Sequence, residues 1–474
     1  MEWKEIVKKN NLDISIINLN FLERERIDAE FYSNIYLTNE ERIKNLETTS
    51  LGDICIIKSG TTPKDRDDSL TEGAILLKTT DIRNKPLSHN ADYYHISEEI
   101  NQKMKSTQLK NGDVLINIVG ATLDVIGRVS FVPNNFPQAN ITQAMALISS
   151  KNNAFLPSYI FTFLLSKYGN LQSKRLARPT GQFNLNLQEV SAIRIPKANI
   201  NFQNAINEII SEYQNLSERS EQLHKKAERL LVEEINLEGY VPNNDNTSVR
   251  ELTECLTDNR FDAEYWEPRF DEMEERVSII SQQELGDIVS IQKGIDPGSE
   301  AYTESGKPFV RVSDISIYGI EDGDKKISDE LYEELKDNYK PQKGEVLFTK
   351  DGTIGISFAL HEDIDAIVSS AFLRLKPKIK INIDYLTLVL NSLYCKFQIE
   401  RMSGGAIIAH LKPESVKKIK VPVLSDAKQE ELAEKAVSSL RLRNEAKELL
   451  EKAKRAVEIF IEKDEQEALK YLAP

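Results

Sequence analysis

The chain repeats itself. Arg26-Ile27-Asp28-Ala29-Glu30-Phe31-Tyr32 returns as Arg260-Phe261-Asp262-Ala263-Glu264-Tyr265-Trp266, an offset of 234 residues. The same offset carries Leu51-Gly52-Asp53-Ile54 onto Leu285-Gly286-Asp287-Ile288, Gly60 onto Gly294 and Pro63 onto Pro297. Further on the offset drifts through small insertions and deletions: Gly112-Asp113-Val114-Leu115 pairs with Gly344-Glu345-Val346-Leu347, and Ile193-Arg194-Ile195-Pro196 with Ile419-Lys420-Val421-Pro422. Ordered matches at a near-constant offset mean one unit written twice. A chain of 474 residues is also too long for one ordinary core, so each copy must supply its own.

Within each copy, Val114 to Ile118 and Val346 to Phe348 read as buried strands. Each meets a glycine turn, Gly120 or Gly352, and then a second apolar stretch, Ile126 to Val132 or Ile354 to Leu360, so hairpins are expected. Tyr159 to Tyr168 and Tyr385 to Phe397 carry apolar residues at mixed three and four spacing, which predicts short helices and an α+β fold for each globular part. After Pro196 the period changes. Ile206, Ile209, Tyr213, Leu216, Ser220, Leu223, Ala227 and Leu230 step as a heptad seam, and after Pro422 so do Leu432, Ala436, Ser439, Leu442, Ala446, Leu449, Ala453, Ala456 and Phe460. One such helix ordinarily covers its own core; two matched long helices favour packing on each other or on a partner. Asn243-Asn244-Asp245-Asn246-Thr247-Ser248 reads as the polar joint. The expected division is an arm at 1–49, a globular domain at 50–197, a long helix at 198–237, a linker and second arm at 238–284, a second globular domain at 285–422 and a closing long helix at 423–474.

The net charge of −14 argues against nucleic acid only as an average. Residues 51–197 carry 17 Lys and Arg against 12 Asp and Glu, whereas residues 236–284 carry 4 against 13 and residues 285–422 carry 19 against 21. A basic face is compatible with an acidic mean. In the second domain the acids crowd at Glu321, Asp322, Asp324, Asp329, Glu330, Glu333, Glu334 and Asp337, and a basic tract runs through Lys396, Arg401, Lys412, Lys417, Lys418 and Lys420. Solvated surface charge is the plain alternative for either. Three scattered cysteines, Cys55, Cys255 and Cys395, exclude a disulfide framework and fit a reducing cytoplasm. No leader and no apolar run long enough to span a membrane is expected.

Chemistry-bearing motifs are missing. There is no phosphate loop, no HExxH, no GxSxG and no dinucleotide fingerprint. The five histidines do not fall at metal-ligand spacing, and His224 is expected at the surface beside its helix seam. Glu334-Leu335-Lys336 superficially suggests a metal-dependent nuclease set, but it lies in an acidic amphipathic stretch, and the first copy has Asn101-Gln102-Lys103 in about that place. Neither cofactor nor metal is expected, and binding is favoured over catalysis.

Leu-Gly-Asp-Ile opening each unit, Ile-x-[Ile/Val]-Pro before each long helix, and Arg-x-Asp-Ala-Glu together resemble the specificity subunit of Type I restriction-modification systems. Ser59-Gly60-Thr61-Thr62-Pro63 resembles that family's Gly-x-x-Pro turn, and Thr180-Gly181-Gln182-Phe183-Asn184-Leu185 its Gly-x-Gln-x-Asn segment. The second copy departs, with Lys293-Gly294-Ile295-Asp296-Pro297 and with Gly404-Gly405-Ala406-Ile407-Ile408-Ala409-His410-Leu411, which lacks the Gln and Asn. The resemblance covers nearly the whole chain. It implies two target recognition domains joined by an antiparallel coiled coil, and a non-catalytic cytoplasmic subunit that binds double-stranded DNA. Its implied partners are two methyltransferase subunits and, through the complex, restriction/translocase subunits.

Major-groove base edges are read by Arg, Lys, Asn and Gln, while Ser, Thr, Lys and backbone amides suit phosphates. With the resemblance, this nominates Lys58, Thr61, Thr62 and Lys64 for positioning in the first domain, and Lys174, Arg175, Arg178, Gln182 and Asn184 for reading or clamping. In the second domain Lys293, Lys350, Thr353, Arg401, Ser403, His410 and Lys412 stand in comparable places. The rival reading is a coiled-coil scaffold with duplicated protein-binding domains, favoured by the acidic balance; an enzyme of another type ranks third.

Overall fold

The computed structural model describes residues 15–18, 20, 22, 26–151, 154–179, 181–243, 245, 247–320, 323, 325–403 and 410–473. Thr180, Gly404 to Ala409, three acids of the crowded cluster (Glu321, Asp322, Asp324) and two residues of the polar joint (Asn244, Asn246) lie outside them. The described residues form two compact units. One runs up to Glu218 and includes those from Asn444 on; the other is Arg219–Arg443. No helix among the described residues is long and apolar enough to cross a membrane.

In the first unit a four-stranded antiparallel sheet has the order Cys55–Ser59, Met145–Ser150, Val114–Asn117, Val129–Phe131. The expected hairpin is present, with Val114 opposite Phe131. A smaller sheet sets Ala74–Leu77 between His95–Ile96 and a parallel neighbour, Ala139–Ile141. The second unit repeats the larger sheet as Val289–Lys293, Phe372–Pro377, Val346–Thr349, Ser357–Ala359. Lys307–Val310 and Ile367–Val368 form the matching parallel pair. All four residues of Ala74–Leu77, Val114–Asn117 and Val346–Thr349 are buried, because helices cover one face and the neighbouring sheet the other.

The repeated motifs are structural. Leu51 and Ile54 are buried in a short helix whose first turn Ser50 and Asp53 cap reciprocally. A Cβ on Gly52 would meet that of Ser191 at 2.9 Å, and one on Gly286 that of Lys417 at 2.9 Å. The exit strand Arg194–Pro196 pairs with Thr48–Ser50, as Lys420–Pro422 does with Gln282–Glu284. The buried Tyr159 hydroxyl donates to the Pro196 carbonyl at 2.9 Å, and Tyr385 to that of Pro422 at 2.7 Å. Each predicted short helix is in fact two: Pro157–Leu165 and Lys167–Leu176 in one copy, Ile383–Leu390 and Leu393–Ser403 in the other. Ser166 breaks the first, its extended backbone and its hydroxyl, which accepts from Gly169 N–H, starting a new helix.

The long helices are Ile200–Glu234 and Asp426–Glu462. In the first unit Phe202 packs on Phe460, ring centres 5.4 Å apart. In the second, Ser220 and Ser439 each donate a hydroxyl to the other's carbonyl at 2.8 Å, and Lys428 pairs with Glu234 at 2.8 Å, so the two stretches run antiparallel. The seam differs in detail from the heptad reading: Ile210, Leu231, Ala433 and Leu450 are buried, while Ile209, Leu230, Ala436 and Leu449 are half-buried. A helix of 3.6 residues per turn drifts against a strict seven-residue repeat. Both helices also contribute to the second unit's core, the first through Ala227 and Leu231 and the second through Leu432.

Candidate nucleic-acid interface

In the first domain four of the candidates, Lys174, Arg178, Gln182 and Asn184, fall around one stretch of chain, 119–124. Arg178–Pro179 and Phe183–Asn184 form a hairpin whose second strand pairs with Val119–Gly120, Asn184 opposite Val119. Gln182 stands exposed at its tip beside Gly181, whose φ of +83° and open surroundings suit a tight turn. Arg178 is tied through Nε to Glu189 at 2.7 Å, and Lys174 reaches Asp124 at 2.8 Å. The Asn184 side-chain amide donates to the Gln182 carbonyl.

The glycine-turn group lies on the next segment over. Gly60 is forced by space: a Cβ there would sit 2.0 Å from the Ile141 carbonyl oxygen. Its repeat partner Gly294 is held the same way against Ser369, at 2.2 Å. Lys58 donates to the Ser106 carbonyl at 3.2 Å, and Thr61 and Lys64 are exposed. Thr62 Oγ1 accepts from Gln143 N–H at 3.4 Å, and the next carbonyl, Ala144, accepts from Ile118 and Val119. Residues 142–144 therefore bridge the turn to the hairpin's partner strand. Gln143, exposed at that junction, was missed in the sequence because no motif surrounds it.

The second domain keeps the same backbone frame. Asp351 bridges to His410 where Val119 meets Asn184, and Leu411 N–H donates to the Lys350 carbonyl at 2.8 Å as Leu185 N–H does to that of Ile118. His410 thus takes the place of Asn184, as the offset that pairs Ile193 with Ile419 also places it. Its Nδ1 contacts the Asp351 carboxylate, which also holds the Lys350 ammonium. Lys350 is buried, with 3% of its side chain exposed, so its charge is spent inside the protein. Thr353, Lys293 and Lys412 are exposed; Ser403 is half-buried and donates to the Glu400 carbonyl at 3.1 Å.

Two nominated arginines face inward. Arg175 stacks on Phe31 at 4.1 Å and pairs with Glu40 at 2.6 Å. Arg401 stacks on Tyr265 at 4.6 Å and pairs with Asp271 at 3.0 Å. Opposite them, Arg26 and Arg260 lie 4.2 and 4.4 Å from the same rings, so each copy of Arg-x-Asp-Ala-Glu builds an arginine–aromatic–arginine stack that docks its arm. Asp28 and Asp262 hold the outer arginines, and those guanidinium groups hold both carboxyls below the usual range. The basic tract is likewise partly neutralised, Lys417 by Glu414 at 2.9 Å and Lys420 by Glu274. Lys336 pairs with Glu333 one turn away on a helix, Asp329–Tyr339, as ordinary surface charge does.

Two stretches, residues 15–229 and 281–451, match the family model of the Type I restriction modification DNA specificity domain. A curated relative, the Type I restriction enzyme EcoBI specificity subunit of Escherichia coli, is 28% identical over 174 residues. That alignment covers 36% of this chain and 34% of the relative, so it spans about a third of the relative's length. Among solved structures, the S subunit of a Type I restriction-modification system from M. genitalium matches at 16% identity and a TM-score of 0.36, covering 91% of this chain and 97% of that one. The HsdS subunit from Thermoanaerobacter tengcongensis matches at 14% identity and a TM-score of 0.27, covering 88% and 96%. With the family model matched over most of the chain and in both repeats, this protein belongs to the Type I restriction modification DNA specificity domain family.

Proposed function

We propose that this chain is the non-catalytic DNA-recognition subunit of a Type I restriction-modification complex, and that its two domains, 50–197 and 285–422, each read one half of a bipartite target. One observation carries this reading: the same backbone frame occurs twice, with Asn184 and His410 at equivalent bridge positions, while the side chains it presents have diverged. Two readers of different sequences need a shared frame and unlike side chains. Gln182, Asn184, Arg178 and Lys174 in one domain, and His410, Thr353 and Lys412 in the other, are the proposed groove-facing groups. Lys58, Thr61, Thr62, Lys64 and Lys293 are the proposed backbone contacts. Arg175, Arg401 and Lys350 support these surfaces from behind, and Ser403 closes the helix next to them.

The partners in this reading are double-stranded DNA, two methyltransferase subunits and the restriction/translocase subunits that join them, in the cytoplasm. The long helices act as the spacer between half-sites. A mobility-shift assay with the chain and its methyltransferase partner tests the proposal: it predicts a sequence-selective complex whose affinity falls steeply with salt. A duplicated protein-binding scaffold gives no selective complex at any salt.

A further inference from the structure

In the second unit one side chain of the recognition domain reaches both long helices. The turn Ile317-Tyr318 joins two short strands, Ile315–Ser316 and Gly319–Ile320. Gly319 takes a φ of +131° in this turn, and Tyr318 N–H donates to Ser316 Oγ at 3.2 Å. Its root is in the domain core, where Ile315 packs with Val310, Leu347, Leu360 and Phe372. Its tip lies against the helices. The Arg443 guanidinium sits 3.7 Å from the Tyr318 ring centre, and the His224 ring lies 5.3 Å from it at 58°. His224 belongs to the first long helix and Arg443 to the second, so one aromatic ring contacts both. His224 is thus not the surface residue the sequence suggested; 14% of its side chain is exposed.

This contact is separate from the domain's main seat, which clusters Leu231 and Leu432 with the sheet and its covering helices. At 1.5 Å per residue, His224 lies about 10 Å along the first helix from Leu231, and Arg443 about 16 Å along the second from Leu432. A body fixed at one point can rock; fixed at two points on a rigid rod, it cannot. The first unit has a contact from the same insertion between strands: His89 stands 3.7 Å from Glu218 of its helix and is braced by the Asn134 carbonyl at 2.9 Å.

We propose that Tyr318 is a positioning residue: clamped between His224 and Arg443, it fixes the angle of the second recognition domain on the helix pair and so sets how strictly the gap between half-sites is enforced. The proposal rests on the DNA-recognition reading above. One added base pair moves a half-site by about 3.4 Å and about 35° around the duplex, with 10–10.5 base pairs per turn. A rocking domain absorbs such a shift and a clamped one does not.

The test is a competition assay on the assembled complex, using duplexes with the native gap and with gaps one base pair longer or shorter. Tyr318→Ala should reduce the preference for the native gap by about tenfold, the scale of a desolvated cation–aromatic contact, while both half-site sequences stay the same. Tyr318→Phe, which keeps the ring, should retain it, and Arg443→Gln should lose most of it. A Tyr318→Ala complex with wild-type gap preference overturns the proposal. Should Tyr318→Ala not fold, unchanged gap preference in Arg443→Gln overturns it equally. Absence of selective binding by the wild-type complex refutes instead the recognition reading beneath it.

Discussion

Arg175 and Arg401 show how one residue type serves two ends. Both lie on helices beside the candidate interface, yet each is stacked on an aromatic ring of its arm and paired with a carboxylate there. Their partners are more than 120 residues away in sequence, which is why composition and spacing pointed them outward. Replacing Arg401 with Ala leaves Asp271 and Glu274 without that cation and opens the stack; the unit should lose about 1–3 kcal/mol, read as a lower urea midpoint at unchanged slope. Gln182→Ala should behave differently, leaving stability near wild type and relaxing selectivity in one half-site by about 1–3 kcal/mol. Equal relaxation in both half-sites would refute the assignment of separate readers. Acid probes a third residue. Hydrogen bonding from Arg455 holds the Glu462 carboxyl down at about 2, against an ordinary 4.5. Because the folded value is the lower one, its stabilisation is complete above about pH 4.5 and drains away as pH falls toward 2. Glu462→Gln should flatten that part of the stability profile of the first unit, measured by thermal unfolding across pH 2–5.

At the scale of elements, the repeat and the two long helices were legible because they rest on local periodicity and on motifs whose reasons are local. Leu-Gly-Asp-Ile needs two buried apolar residues, and a glycine where a Cβ would come within 3 Å of another element. The hairpins at Val114 and Val346 followed from apolar runs around a glycine. What was not legible depends on tertiary partners: the break at Ser166, the true buried stripe of the helices, and the inward turn of Arg175 and Arg401 onto their arms. The helices carry a prediction of their own. Inserting four residues after Glu218, matched by four after Arg443, adds about 6 Å and a rotation of about 40°. The recognised gap should then grow by one or two base pairs, at about 3.4 Å each, with both half-sites unchanged. Methylation at the original gap would show that the helices do not set the spacing.

For the whole molecule, the net charge of −14 and the proposed affinity for DNA are reconciled by distribution. Residues 51–197 carry a basic surplus, while the acid is concentrated in the stretch 236–284. The chain contributes recognition alone in this account, so with S-adenosylmethionine and target DNA it should transfer no methyl groups until its methyltransferase partner is added. The most direct test of the central claim is a methylation map of DNA modified by the complete complex, made with the wild-type chain and with Gln182→Ala. The account predicts a bipartite motif with a fixed, unread gap, and a change confined to one half in the variant. A single uninterrupted motif, or a variant in which both halves change together, would contradict it.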